Sequence, residues 1–170
     1  MSALSDFRQA KDAFFKSDDQ SPLSREQKKD FGGLHYYPEN EDFEFELPLE
    51  KAAAVQRVVM ATSTGEQQEY WLVGVIRFTV QGQAAVLQVY RSVHGGDPFI
   101  PFVDATAPGE TYGAGRYLEP ELLPGGRLRV DFNMAYNPYC AYNDAWSCPL
   151  APVENRLSVR IEAGEKKYHD

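Results

Sequence analysis

The stretch RFTVQGQAAVLQVY, residues 77–90, decides the fold. Two runs of alternating apolar and polar residues flank Gln81-Gly82, and alternation is the side-chain period of a strand with one buried face. A two-residue connection containing glycine suits a tight hairpin, because glycine takes the positive φ that such turns require. The same period extends outward. Residues 70–80 read as one long strand and 55–62 as another, while Phe43, Phe45 and Leu47 alternate with Glu44 and Glu46. Toward the C-terminus, Leu123-Pro124-Gly125-Gly126 predicts a second hairpin that sends Leu128, Val130 and Phe132 to one face and Arg127, Arg129, Asp131 and Asn133 to the other. Residues 157–162 read as the last strand, with Leu157, Val159 and Ile161 alternating with Ser158, Arg160 and Glu162. Parallel strands need crossover connections of roughly a dozen residues, so short strands joined by turns predict an antiparallel β-sandwich or barrel.

Only the beginning of the chain departs from this period. Leu4, Phe7, Ala10 and Phe14 fall at helical spacing and predict one apolar stripe, with Arg8, Gln9, Lys11 and Asp12 on the opposite side. Asp18-Asp19-Gln20-Ser21-Pro22 ends that helix, and Ser24-Arg25-Glu26-Gln27 has the spacing of a capping box that opens a second short one. The expectation is a mainly β, single-domain protein: a helical segment over 1–30, packed outside a β-rich domain over 31–170, the two forming one folding unit. A chain of 170 residues suits one core and buries about 70% of its unfolded surface.

The formal charge of −8, with no basic patch, argues against nucleic acid and anionic membranes as partners. The opening MSALSDFRQAKDAFF lacks the basic leader and apolar run of a secretory signal, so the expected address is cytoplasmic. In a reducing cytoplasm two cysteines are free thiols, ligands or a redox pair rather than a permanent staple.

The densest chemistry lies in DFNMAYNPYCAYNDAWSCP, residues 131–149, which holds both cysteines. Cys140 and Cys148 enclose seven residues, and the Asn137-Pro138 turn lets the segment double back to bring them together. The alternative is that one or both are buried small hydrophobes. Zinc is disfavoured, since structural sites want close pairs and four ligands, and the histidines are only His35, His94 and His169. His35 is expected to pack among aromatic neighbours, His94 to be solvated in a glycine-flanked loop and His169 to be disordered.

Asp131 and Asn133 share a strand face, while Tyr136, Asn137 and Tyr142 are amphipathic groups suited to packing and to ligand contact alike. In ETYGAGRYL, residues 110–118, Leu118 stands where a dinucleotide fingerprint would have its third glycine, so the glycines mark a bulge or close backbone approach. Arg116 is then available to a carboxylate such as Asp104, Glu110 or Asp131. Counting across the hairpin brings Arg116 to Asp131 and Asn133, the central expectation for the site.

The runs FVDAT, ETYGAGRYL, DFNMAYNPYCAY, CPLAP, ENRL and IEAGEK, in this order, resemble the C-terminal hallmark of an uncharacterised prokaryotic family, the domain of unknown function numbered 1684. The earlier FGGLHYYPENEDFEFE is similar to that family's phenylalanine-glycine and tyrosine-proline segment, and the resemblance spans roughly residues 25–168. It implies no activity, and it leaves any cofactor unknown. Some members carry an extra N-terminal part, replaced here by the short helix. Asp131, Asn133, Tyr136, Asn137, Cys140 and Cys148 match the pattern, whereas the place of His35 can hold other residues.

Three readings of the motif stand. The first is a binding module holding a small molecule or a peptide end through Arg116, Asp131, Asn133, Tyr136, Asn137, Cys140, Tyr142 and Cys148. The second is a thiol-dependent enzyme with Cys140 as nucleophile or redox thiol and acid-base help from Asp131 or Glu162. In the third, the motif is a hydrogen-bonded brace. Convergence of the polar side chains on an open concavity supports the first two, and their saturation by local backbone supports the third.

Overall fold

The computed structural model describes residues 2–169. Helix α1 (Ala3–Ser17) is capped by Ser2, whose hydroxyl accepts from Ser5 N at 3.0 Å. Helix α2 (Arg25–Asp30) opens with the expected capping box between Ser24 and Gln27. Eight strands follow: β1 (Glu44–Pro48), β2 (Glu50–Ala61), β3 (Gln67–Val80), β4 (Gln83–Ser92), β5 (Ile100–Phe102), β6 (Arg116–Leu118), β7 (Glu121–Leu123) and β8 (Arg127–Asp131).

They form three antiparallel sheets, ordered β1-β8-β7, β2-β3-β4 and β5-β6. The stretch quoted first is the β3–β4 hairpin: Val80 pairs with Gln83, and Gln81 and Gly82 both take positive φ, 50° and 79°. Two positive φ values in a two-residue loop match the twist of the flanking strands. The alternation then delivers Ile76, Phe78 and Val80 from β3, and Ala85, Leu87 and Val89 from β4, to one buried face. That face packs against Phe102 of β5, Leu118 of β6, Leu128 and Val130 of β8, and Phe132. This is sandwich-like packing, and the sheets do not close into a barrel. The Pro124-Gly125-Gly126 hairpin also forms as expected, with Leu123 opposite Arg127.

Two expectations fail. Helix α1 does not dock through the Leu4–Phe7–Ala10–Phe14 stripe, since Phe7 is 48% exposed. It turns Arg8, Lys11, Asp12 and Phe15 inward, residues that share a face at helical spacing. Arg8 Nη1 donates to Tyr37 O at 3.1 Å, Lys11 pairs with buried Glu165, and Asp12 Oδ1 accepts from Leu34 N at 3.0 Å. Phe15, beside Phe31 and Tyr142, supplies the apolar anchor. The surface under the helix offers carbonyls and a carboxylate, so the charged face wins over the apolar stripe.

Residues 157–162 are the second failure: they alternate in burial but form no strand. Leu157 N donates to Val103 O at 2.7 Å and Val159 O accepts from Ala105 N at 2.9 Å. Beyond that point side chains replace the ladder. Ile161 N donates to Asp104 Oδ2 at 2.6 Å, and Arg116 occupies the carbonyls of Ile161, Ala163 and Glu165.

Candidate functional site

Asp131 ends β8, and its Oδ1 accepts from Asn133 N and from Asn133 Nδ2, both at 2.9 Å, which caps the turn Phe132–Met134. Asn133 lies in that turn, not on a strand face beside Arg129. Its amide clasps the backbone of Asn40, Nδ2 donating to Asn40 O and Oδ1 accepting from Asn40 N, each at 2.9 Å. Asn137 N donates to Glu165 Oε1 at 3.3 Å and Asn137 Nδ2 to Lys166 O at 2.9 Å, while its Oδ1 lies buried without a partner among the described residues. Tyr142 donates to Glu165, and Tyr142 O accepts from Gln27 Nε2 at 2.7 Å.

Arg116 does not meet Asp131 or Asn133. The β7–β8 register is the one the hairpin predicts, with Glu121 opposite Arg129. Past Pro120 that register is lost, because the turn Phe132–Met134 intervenes and Tyr117 bridges to Tyr136 instead. Arg116 therefore reaches Asp104, another of its three candidate partners, with Nη2 3.2 Å from Oδ1. Gly115 makes that possible: it has φ 105°, and a Cβ there would lie 2.4 Å from Phe102 O. Burial lowers the guanidinium pKa, and Asp104 opposes that shift.

Neighbours on a strand face opposite ways, so Tyr117 turns away from Arg116. Its ring packs on Phe99 at 4.8 Å and on Tyr136 at 5.7 Å, and Phe99 stacks on Tyr70 at 5.7 Å. This chain of rings walls an open cleft of about 350 Å³ rimmed by Ser92, Asp97, Glu119 and Pro149. A second cavity, of about 620 Å³, adjoins it through the shared Tyr70 and Ser92 and reaches His94. Both volumes fall in the range of small-molecule sites. Tyr136 Oη donates to Glu119 Oε1 at 2.6 Å; burial first, and this bond second, raise the phenol's pKa.

Both cysteines are free and buried behind these rings, in a cluster with Tyr117. Cys140 N donates to Cys148 Sγ at 3.4 Å, and Tyr112 Oη lies 3.6 Å from Cys140 Sγ. The hydrogen bond with Cys148 pulls the Cys140 thiol down to about 6 against the opposing effect of burial, and pushes Cys148 up. Glu162 is exposed and accepts from Arg160 Nε at 3.1 Å. His35 is exposed rather than packed. The ring of His169 sits 4.8 Å from that of Tyr168, with Nε2 3.0 Å from Tyr142 O. Among the described residues, no three His, Cys, Asp or Glu side chains gather into a set that could hold a metal ion, and no helix is long and apolar enough to cross a membrane.

Of the expected residues, the structure thus joins Tyr136 to the cleft and Cys140 to Cys148. It places Arg116, Asn133 and Asn137 in internal contacts, whereas Asp131 and Tyr142 make internal contacts and each also line a cavity, Asp131 beside Arg129 and Tyr142 beside Cys140. Tyr70, Asp97, Phe99, Tyr117 and Glu119 escaped the sequence reading. Tyr117 alone had a local signal, as the neighbour of Arg116 on a strand.

The fold and these contacts define a mainly β domain with two N-terminal helices docked on its outside. The chain belongs to the protein family of unknown function DUF1684, which it matches over residues 29–166. It is similar to an uncharacterized protein from Haloarcula marismortui solved by solution NMR, at 35% identity and a TM-score of 0.72, covering 96% of this chain and 91% of that one. No curated protein matches the chain.

Proposed function

We propose that the protein is a binding module that holds a cationic small molecule, or the amino end of a peptide, in the aromatic cleft. One observation carries this reading. Tyr70, Phe99, Tyr117 and Tyr136 wall the cleft, and the charged side chains that line it, Asp97 and Glu119, are both carboxylates. Ring faces and carboxylates attract ammonium and guanidinium groups and repel anions. The acidic balance of the chain, −8, adds to that preference and supports partners other than nucleic acid and anionic membrane. A prokaryotic, cytoplasmic setting fits the family resemblance and the two unpaired thiols.

The polar half of the motif reads differently. Asn133 and Arg116 spend their donors on backbone carbonyls and on Asp131 and Asp104. These internal bonds favour the brace for Arg116, Asp131 and Asn133, and for Asn137 through its N–H groups although its Oδ1 is left without a partner among the described residues, with ligand contact falling to Tyr136 and the rings beside it. Glu162, paired with Arg160, has no place in this reading as an acid-base partner of Cys140.

A fragment screen by amide chemical shifts tests the location. Amine fragments should move the signals of Ser92, Phe99, Glu119 and Tyr136. Shifts confined to other surfaces would overturn the assignment.

A further inference from the structure

The two cysteines are placed differently. Cys148 N donates to Ser63 Oγ at 3.1 Å, and Cys148 O accepts from Ser63 N at 2.9 Å, which ties this residue to the turn after β2. Cys140 sits in the short turn Tyr139–Ala141 and lines a cavity of about 390 Å³ together with Tyr112, Ala141, Tyr142, Asn143, Asp144 and His169. Cys148 does not line that cavity. One cysteine therefore borders an opening, and the sulfur of the other lies within hydrogen-bond reach of the Cys140 backbone.

We propose that Cys140 and Cys148 form a dithiol site whose substrate is a low-molecular-weight disulfide, with Cys140 attacking and Cys148 resolving. The first step forms a bond between Cys140 Sγ and one sulfur of the substrate and breaks the substrate's S–S bond. The departing thiolate takes a proton from water. In the second step Cys148 gives its proton to water and attacks Cys140 Sγ. The mixed disulfide breaks, and the second small thiolate leaves and is protonated. The two protein thiols are oxidised to one disulfide, and one small disulfide is reduced to two thiols.

Tyr112 Oη, 3.6 Å away, and the Cys148 thiol both favour the Cys140 thiolate, the nucleophilic form. A thiol poised just below neutral pH is close to the optimum for exchange. Asp144 at the mouth, within a chain of charge −8, selects for neutral or cationic disulfides. The site is independent of the aromatic cleft as a binding surface. Tyr117 packs in one cluster with both cysteines, so closing the disulfide also changes what lies behind the cleft wall.

The test uses the full chain with cystamine, followed by mass spectrometry and alkylation of residual thiols after denaturation. The native protein should lose two hydrogens, retain no cysteamine and leave neither cysteine alkylatable. Cys148→Ser should trap one cysteamine on Cys140, and Cys140→Ser should stay unmodified. The initial rate should fall as pH drops through about 6, the value to which the Cys140 thiol is lowered. Cystamine should react several-fold faster than dithiodiglycolate at low salt, with the gap closing as salt rises. Cysteamine retained on both cysteines of the wild-type protein, or two thiols that react only after unfolding, would overturn the proposal even if neither variant folds.

Discussion

Arg116 and Asp104 pair at 3.2 Å between side chains that are 1% and 2% exposed, and the arginine's Nη atoms also donate to the carbonyls of Ile161, Ala163 and Glu165, while its Nε has no partner among the described residues. One side chain thus binds the C-terminal segment to β5 and β6. Asp104 completes the joint by accepting from Ile161 N at 2.6 Å and from Thr106 Oγ1 at 2.8 Å.

Removing the arginine leaves a buried carboxylate and the carbonyls unpaired. Arg116→Met should therefore cost about 3 to 5 kcal/mol. Arg116→Lys should recover little of it, because an ammonium lacks the planar fork that reaches several acceptors at once. Urea denaturation measures both, and a loss of less than about 1 kcal/mol for Arg116→Met would contradict the brace.

Asn133→Ala should cost about 1 to 3 kcal/mol, since it strands the backbone N–H and C=O of Asn40. It should leave ligand binding in the aromatic cleft unchanged. Loss of binding with full stability would return Asn133 to the ligand site.

The docking of α1 gives a sharper contrast. Phe7→Ser should change stability by no more than about 0.5 kcal/mol, because Phe7 is 48% exposed. Phe15→Ala should cost about 3 to 5 kcal/mol, because the ring is buried beside Tyr142. Comparable effects from the two would restore the apolar stripe as the docking face.

All ten tyrosines have phenol pKa values above 10, with burial the first cause in each; Tyr90, for example, is raised to about 12. The neutral phenol is the form the folded state favours. Its contribution to stability is complete below pH 10 and is lost as pH rises through that value toward the folded-state pKa. Thermal stability should fall from about pH 10 upward, and tyrosinate absorbance should appear together with unfolding. Full ionisation of the tyrosines by pH 11 in a protein that keeps its near-ultraviolet dichroism would contradict this.

What was legible in the sequence was local. The 77–90 hairpin, the Pro124-Gly125-Gly126 turn and the capping box each rest on residues a few positions apart, and each forms. The Leu4–Phe7–Ala10–Phe14 spacing likewise lies in a helix. The face that docks, however, is set by Glu165 and by Tyr37 O, which lie far along the chain. Residues 157–162 keep the burial alternation of a strand but lose their ladder to Arg116 and Asp104, a substitution that no periodicity reports. Asn133 meets Asn40 across 93 positions, and the cleft gathers Tyr70, Phe99, Tyr117 and Tyr136 from four segments. Tyrosines this far apart carry no common spacing, so the brace and the cleft wall could not be told apart in advance.

The most direct test of the binding reading is titration calorimetry with two probes that differ in charge, phenethylammonium and phenylacetate, against the full chain. The cation should bind and the anion should not. Glu119→Gln and Asp97→Asn should each weaken the cation about fivefold, the equivalent of about 1 kcal/mol for a partly exposed charge pair, while leaving the fold intact. Equal affinity for the two probes, or cation binding unaffected by both substitutions, would contradict the account.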